Sequence, residues 1–278
     1  MDLLTRIITG IVGIALAAVI IQTGGAFFAG AALLLAWLAW LEYVRVFAER
    51  GMGLTLVTGL LGIGLIWYAG WQQQTDWLLA AVTLSVCVVL MESVLRRSAV
   101  SIMDALASAA GILYIGFPFA YMVMLRQTAP ETLLMTPVGS FDFGCAMIWI
   151  LFIGTWSSDT FAYFTGSALG RHKLCPSISP NKTVEGFFGS LVGTTAAVAA
   201  LGMFFDLPVR EMAVLGFILA LLATIGDLVE SVAKRYAGVK DSGNIIPGHG
   251  GVWDRFDSIL FTAPLVYYFV KFVGIVLK

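Results

Sequence analysis

The chain has 278 residues, of which 59% are hydrophobic and only 12% charged, and its mean hydropathy is +0.93. The charged fraction is about half that of an average soluble domain. This excludes an ordinary soluble fold, because a domain of this size keeps much of its surface in water. The net charge of −1 excludes the global basic field expected of a nucleic-acid-binding protein.

Apolar stretches follow one another along the chain, each near the roughly 20 residues that a helix needs to cross a bilayer. They predict an all-α polytopic membrane protein, because lipid offers no partner for unpaired backbone groups. The nine predicted spans are 5–22, 26–46, 54–71, 77–95, 103–124, 143–166, 184–205, 210–233 and 258–276. We expect the first to be a retained helix, because Val19-Ile20-Ile21 is a poor cleavage context for a signal peptide.

Basic residues predict the orientation of the bundle. If the N-terminus is cytoplasmic, the basic clusters within 96–97, 171–173 and 234–240 all lie on the cytoplasmic side. This positive-inside bias favours a cytoplasmic N-terminus and an odd number of spans.

The two halves of the chain differ in their polar residues. Residues 1–140 carry scattered charges, and we expect them to form a scaffold of helices that makes dimer and lipid contacts. Residues 141–278 are the predicted catalytic region, with cytoplasmic loops at 167–183 and 234–257. Three acids of the first half are interpreted as interfacial or locally paired charges rather than catalytic groups, namely Glu42, Glu92 and Asp104.

The predicted helix that ends near Lys234 carries the first dense polar group. Asp227, Glu230, Ser231 and Lys234 are spaced so that they share one helical face. Acids near membrane depth are costly unless they face a cavity, a partner or a metal. Asp227 is therefore interpreted as functional, whereas Glu230 has the alternative of a structural pair with Lys234.

A glycine-rich loop follows, with Lys240-Asp241-Ser242-Gly243 and then Pro247-Gly248-His249-Gly250-Gly251. Glycine permits positive φ and close backbone approach, so successive N–H groups in such a loop can surround an anion. Arg235 and Arg255 flank the loop and can each grip phosphate oxygens through two donors. The loop is predicted to bind phosphates.

Asp254, Asp257 and Ser258 fall on one face where the last helix begins, although Asp257 has the alternative of an N-cap. Carboxylates beside phosphate-binding cations indicate Mg²⁺, which proteins hold through a few carboxylates and substrate phosphates. A nucleoside triphosphate needs such help, because the metal and the cations offset charge on the leaving pyrophosphate.

The second predicted loop ends in Ser179-Pro180-Asn181-Lys182-Thr183, followed by Glu185-Gly186. Lys182 stands just before a span, where the positive helix N-terminus also favours anions. Asp159 lies inside the sixth span, and its alternative interpretation is a polar packing contact with another helix.

These motifs resemble the phosphatidate cytidylyltransferase family, also called CDP-diacylglycerol synthases. The residues that match the family signature are Ser231, Lys234, Arg235, Lys240, Asp241, Gly243, Pro247, His249, Gly250, Gly251, Asp254, Arg255 and Asp257. The runs at 179–186 and 159–163 are also similar to that family. The first half of the chain matches only in hydropathy.

The resemblance implies about nine transmembrane helices, a homodimer in the bacterial cytoplasmic membrane, and an active site that faces the cytoplasm. It implies Mg²⁺-dependent transfer of CMP from CTP to phosphatidic acid, and leaves open whether a monovalent cation such as K⁺ joins the metal. The implied metal ligands are Asp227 and Asp254, with Asp257 and Glu230 as second choices. The implied catalytic residues are Asp227, Asp254, Lys240, Asp241 and His249. The implied substrate-binding residues are Lys182, Ser179, Lys234, Arg235, Arg255, Gly250, Gly251 and Asp159.

A phosphate monoester is already a nucleophile near neutral pH, so His249 is assigned to phosphate or metal-shell contact rather than to general base catalysis. A structural role in the loop is its alternative. Two rival functions remain. A CTP-dependent polyprenol or dolichol kinase would release CDP instead of pyrophosphate. A secondary transporter would spread polar residues across the membrane, whereas here they cluster on the predicted cytoplasmic side.

Overall fold

The computed structural model describes residues 3–274, with side chains described from residue 7. The helices are α1 Leu3–Thr23, α2 Gly25–Ala48, α3 Leu56–Trp71, α4 Thr75–Leu95, α5 Ile102–Arg126, α6 Phe143–Leu169, α7 Val184–Phe204, α8 Val209–Ala237, α9 Trp253–Phe256 and α10 Ile259–Val273. Two short antiparallel hairpins pair β1 Leu133–Thr136 with β2 Gly139–Asp142, and β3 Lys173–Cys175 with β4 Ser179–Thr183. The predicted all-α class is confirmed, and the hairpins are connectors that the hydropathy pattern does not reveal.

Seven helices in the described part of the chain are long and apolar enough to cross a membrane. Two further apolar helices, Ile7–Thr23 and Leu56–Trp71, are shorter. Within residues 3–274 each predicted span thus overlaps an apolar helix, and residues 275–276 of the last predicted span lie outside the described part. The count of nine crossings stays a prediction. The cytoplasmic N-terminus also stays a prediction, and residues 1–2 lie outside the described part.

The chain divides into two compact units. The first comprises residues 1–124 and 233–256, and the second comprises residues 125–232 and 257–278. The glycine-rich loop thus belongs to the same unit as the N-terminal helices. The predicted functional separation at residue 140 stays a prediction.

Helix α2 packs closely in the first unit because glycines on its neighbours leave room for its aromatic rings. A Cβ on Gly59 of α3 would lie 2.1 Å from the Trp40 ring, and one on Gly111 of α5 would lie 2.4 Å from the Tyr43 ring. The Trp40 indole N–H also donates to the Leu56 carbonyl at 3.0 Å. Small residues let helix backbones approach where lipid supplies no hydrophobic driving force.

Helices α6 and α7 pack together in the second unit. A Cβ on Gly193 would lie 2.2 Å from the Phe161 ring, so glycine is required at this contact. The hydroxyls of Ser158 and Ser190 are 2.8 Å apart and form a hydrogen bond at a buried position between the two helices. The β3–β4 hairpin connects these helices and ends directly at the start of α7.

Two of the scattered acids of the first half are locally paired, which confirms their interpretation. The Glu92 carboxylate accepts the Thr58 hydroxyl at 2.6 Å. Asp104 accepts the N–H of Gly53 at 3.0 Å, and the N–H and hydroxyl of Ser101 at 2.8 and 2.7 Å. These carboxylates fix local turns and helix ends.

Candidate active site

The glycine-rich loop of the first unit is folded around a buried carboxylate of α2. Glu42 is 1% exposed. Its Oε1 accepts the N–H of Val252 at 3.0 Å, and its Oε2 accepts the N–H of Trp253 at 2.8 Å and the hydroxyl of Ser242 at 3.1 Å. The interpretation of Glu42 as a paired charge holds, but the pairing is not local. Its partners lie 200 or more positions away and all belong to the predicted phosphate-binding segment.

A second carboxylate joins the two ends of the same loop. Asp254 accepts Lys234 Nζ at 2.8 Å, the N–H of Ser242 at 3.0 Å and the N–H of Gly251 at 2.8 Å. Its side chain is 6% exposed and that of Lys234 is 13% exposed. The pair therefore links the C-terminal end of α8 to the short helix α9, with both charges largely removed from water.

Glycine is required at two neighbouring positions of the loop, residues 250 and 251, shortly before this short helix. Gly250 has φ of +84°, and a Cβ there would lie 2.7 Å from Asp254 Oδ2. A Cβ on Gly251 would lie 2.3 Å from the Ser242 hydroxyl and 2.4 Å from Glu42 Oε2. Both predicted substrate-binding glycines thus make room for the carboxylates that hold the loop.

His249 is attached to the loop and to the first helix. Its Nδ1 lies 3.0 Å from the Thr9 hydroxyl, its backbone N–H donates to the Ile246 carbonyl at 3.0 Å, and its carbonyl accepts Arg255 Nε at 2.7 Å. These contacts support the structural alternative for His249. Its contact with phosphate or a metal shell stays a prediction.

A pocket of about 310 Å³ opens between α2 and the loop. Lys240 and Asp241, both predicted as catalytic, line it together with Arg45 of α2 and with Glu49, the residue that directly follows α2. The lining residues are Arg45, Val46, Glu49, Val239, Lys240, Asp241, Ser242, Gly243 and Asn244. The pocket offers both cations and acids to a polar ligand.

The second unit contains a separate acid–cation pair. Lys182 Nζ lies 2.7 Å from Asp227 Oδ2, and the two side chains are 24% and 28% exposed. The Ser231 hydroxyl donates to Asp227 Oδ1 at 3.3 Å. Lys182 thus reaches Asp227 from β4, two residues before α7 begins. Asp227 keeps a water-accessible face.

Asp257 lies next to helix α8 because residue 226 of that helix is a glycine. A Cβ on Gly226 would be 2.7 Å from the Asp257 carbonyl oxygen, and the Ser258 hydroxyl donates to the Ala223 carbonyl at 3.0 Å. Ser258, rather than Asp257, is the N-cap residue of α10. The structure therefore brings the Asp257 segment against α8 beside Asp227.

The other predicted site residues are placed as follows. Ser179 lies in β4 with Lys182, and Glu230 is 1% exposed within α8. Asp159 is exposed on α6, next to the Ser158–Ser190 contact. Arg235 is exposed and donates to the Val239 carbonyl at 3.4 Å. Their binding roles stay predictions.

No group of three or more His, Cys, Asp or Glu side chains within residues 3–274 is arranged to hold a metal ion by itself. Mg²⁺ commonly uses only one or two carboxylates together with water and substrate phosphates. Asp227 meets that requirement, because its carboxylate is partly exposed and lies beside the Asp257 segment. In contrast, the Asp254 carboxylate is enclosed by Lys234 and backbone N–H groups.

Sequence reasoning did not find the contribution of α1 and α2 to the loop. The available signal was Glu42, an acid in the middle of an apolar helix, for which a buried partner is required. The identity of that partner was not readable, because Glu42 and Val252 are 210 positions apart. Thr9 gives no signal at all, since one threonine in an apolar helix is ordinary.

Comparisons with known proteins identify the family of the chain. The sequence model of the Cytidylyltransferase family matches residues 4–273. A protein of Staphylococcus epidermidis named phosphatidate cytidylyltransferase is 35% identical over 266 residues, which are 94% of this chain and 96% of the relative. A protein of the same name from Staphylococcus aureus is 39% identical over 216 residues, which are 77% of each chain. One from Staphylococcus saprophyticus is 34% identical over 267 residues, which are 94% of this chain and 96% of the relative.

The family match covers nearly all of the described helices and both of the charged clusters. The signature residues lie where the structure builds the loop around Glu42 and Asp254, and the acid–cation pair of Lys182 and Asp227. The chain therefore belongs to the cytidylyltransferase family.

Proposed function

We propose that the protein transfers CMP from CTP to phosphatidic acid, giving CDP-diacylglycerol and pyrophosphate. The observation that carries this proposal is a loop of glycines and cations, closed by the Lys234–Asp254 pair, in a chain of membrane-length apolar helices. A water-soluble nucleotide and a lipid phosphate require that combination. The names of the staphylococcal relatives support the same substrates.

In the proposed reaction, an oxygen of the phosphatidate phosphate attacks the α-phosphorus of CTP. A P–O bond forms to the lipid phosphate, the bond from the α-phosphorus to the bridging oxygen breaks, and pyrophosphate leaves with that oxygen. The main obstacle is repulsion between the two anions. Lys182, Lys240 and Arg255 are exposed or partly exposed cations suited to reducing that repulsion and orienting the phosphates.

We propose that Mg²⁺ is required and that Asp227 holds it, with Asp257 as the second carboxylate. When bound, the metal would offset charge on the triphosphate and polarise its oxygens. Lys182, which lies 2.7 Å from Asp227 Oδ2, would give up that oxygen to the metal when substrate arrives. Lys234 and Asp254 would instead fix the loop that carries Lys240 and Asp241. Whether K⁺ accompanies the metal stays an open part of the proposal.

The proposal is tested with purified protein, labelled CTP and phosphatidic acid in detergent micelles. We expect labelled CDP-diacylglycerol and pyrophosphate in equal amounts. Release of CDP with a phosphorylated polyprenol would instead assign the chain to the CTP-dependent lipid kinases.

The matched variants are Asp227→Asn and Asp206→Asn. Asp206 is exposed in the turn after α7 and has φ of +53°, which asparagine accommodates. Turnover should fall about 100-fold or more in Asp227→Asn, because the loss of one charge at the reacting centre is costly, and should be unchanged in Asp206→Asn. Near-normal turnover of Asp227→Asn with Mg²⁺ would refute the metal assignment.

We also propose a homodimer in the bacterial cytoplasmic membrane, with the loop facing the cytoplasm. Asn244 is exposed beside Lys240 in the loop. A single cysteine at this position, in a chain whose three cysteines are replaced by serine, should react with an impermeant maleimide in inverted vesicles and not in intact cells. Reaction in intact cells would reverse the orientation. Sedimentation in detergent measures the dimer.

A further inference from the structure

We infer that Glu42 is a positioning residue for the reaction: its buried carboxylate sets the conformation of the loop that carries Lys240 and Asp241. The kinetic part of this inference rests on the proposed function. Glu42 touches no reacting group in this scheme. It acts through the backbone of the loop, which it holds from the middle of α2.

The buried Glu42 carboxylate receives its hydrogen bonds from the loop. Glu42 is 1% exposed inside an apolar helix, where an ionised group is retained only if its oxygens receive donors. The donors are the N–H groups of Val252 and Trp253 and the hydroxyl of Ser242. All three donors belong to the loop or to the start of α9, so this segment satisfies the buried Glu42 carboxylate.

Two glycines of the loop pack directly against the Glu42 carboxylate. A Cβ on Gly243 would lie 2.5 Å from Glu42 Oε1, and one on Gly251 would lie 2.4 Å from Glu42 Oε2. Two of the glycines that were predicted to approach phosphate are therefore pressed against Glu42. Their lack of a side chain is explained by this carboxylate without reference to a ligand.

Ser242 connects Glu42 to the pocket that Lys240 and Asp241 line. Ser242 donates its hydroxyl to Glu42 and its N–H to Asp254, and it directly follows Asp241. Arg45, one turn after Glu42 in α2, and Glu49, directly after the end of α2, line the same pocket as Lys240 and Asp241. A change in the Glu42 contacts therefore moves both sides of that pocket relative to each other.

The test is Glu42→Gln, which keeps the shape of the side chain and replaces one acceptor oxygen with an N–H₂ group that faces donors. We expect kcat/KM for CTP to fall between about 10-fold and about 100-fold, as small displacements of binding groups do. Hydrogen exchange of the amides of Val252 and Trp253 should become faster, because they lose the carboxylate.

Asp104→Asn is the matched control. Asp104 is 8% exposed and accepts two backbone N–H groups and one serine hydroxyl, the same types of donor as Glu42, and it does not line the pocket that contains Lys240 and Asp241. Asp104→Asn should speed exchange at Gly53 and Ser101 and leave kcat/KM for CTP within about twofold. Equal kinetic losses in the two variants would reduce Glu42 to a general structural role and overturn the inference.

Ser242→Ala keeps the test available if Glu42→Gln does not fold. It removes one donor to Glu42 and should lower kcat/KM for CTP severalfold. When Glu42→Gln is folded, Ser242→Ala in that background should cost less than it does alone, because the two groups share one contact. Unchanged kinetics in Ser242→Ala, or additive losses in the double variant, would overturn the inference.

The two proposals fail in distinguishable ways. A wild-type protein that makes no CDP-diacylglycerol would refute the proposed function. The exchange rates of Val252 and Trp253 in Glu42→Gln would still report whether the carboxylate holds the loop. A normal wild-type enzyme whose Glu42→Gln variant has unchanged loop exchange and unchanged kinetics would refute only the positioning role.

Discussion

Asp254 and Asp227 each pair with a lysine, yet their surroundings differ. Asp254 is 6% exposed and receives Lys234 together with two backbone N–H groups of the loop. Asp227 is 28% exposed and receives Lys182 and a serine hydroxyl at 3.3 Å. A carboxylate enclosed by its own chain holds a conformation, whereas one that remains open to water can bind a ligand. The same motif chemistry thus serves structure in one cluster and, under the proposed function, binding in the other.

The largest expected loss of activity comes from adding a methyl group to the loop around Glu42 and Asp254. In Gly251→Ala the added Cβ would lie 2.3 Å from the Ser242 hydroxyl and 2.4 Å from Glu42 Oε2, so the loop must shift. We expect cytidylyltransferase activity to fall about 100-fold or more. Gly30→Ala in α2 is the control, because nothing lies within 4 Å of its Cβ. Equal activity in the two variants would show that the loop is not closely fitted.

The next largest effect is a difference in unfolding free energy between the Asp254 and Asp227 variants. Asp254→Asn removes the carboxylate charge 2.8 Å from the largely buried Lys234 ammonium, and we expect the unfolding free energy to fall by about 1–3 kcal/mol. Asp227→Asn breaks a partly exposed pair, which contributes at most about 1 kcal/mol. Thermal unfolding in detergent measures the order of the two variants. Greater destabilisation by Asp227→Asn would reverse the comparison.

Local sequence pattern was sufficient for the helices and insufficient for this distinction. The predicted spans 26–46 and 143–166 agree closely with Gly25–Ala48 and Phe143–Leu169, because membrane helices are specified by continuous apolar length. The spacing of Asp227 and Ser231 on one face was also readable, and the structure connects them.

Contacts between distant positions were not readable. The Lys182–Asp227 pair joins strand β4 to helix α8, which share no periodicity in the sequence, and the Glu42–Ser242 bond spans 200 positions. Hydropathy also gave no sign of the β1–β2 and β3–β4 hairpins, which are short and lie between long apolar helices. Polar motifs identify which residues matter, while their partners depend on how the helices pack.

The smallest expected effect sharpens the role of the open acid. Lys182 occupies Asp227 Oδ2 at 2.7 Å, so under the proposed function the lysine competes with Mg²⁺ for this carboxylate. Lys182→Met keeps the apolar stem and removes the charge. The Mg²⁺ concentration for half-maximal activity should then fall, by at most about fivefold, because a partly exposed ion pair contributes at most about 1 kcal/mol.

The KM for CTP should rise in the same variant, because a phosphate-binding cation is lost. A magnesium titration at saturating CTP separates the two effects. An increase in the Mg²⁺ requirement would contradict competition, and would mean that Lys182 orients Asp227 for the metal rather than occupying its place. In either case the open acid responds to its lysine through ligand binding, whereas the enclosed acid responds through the stability of the fold.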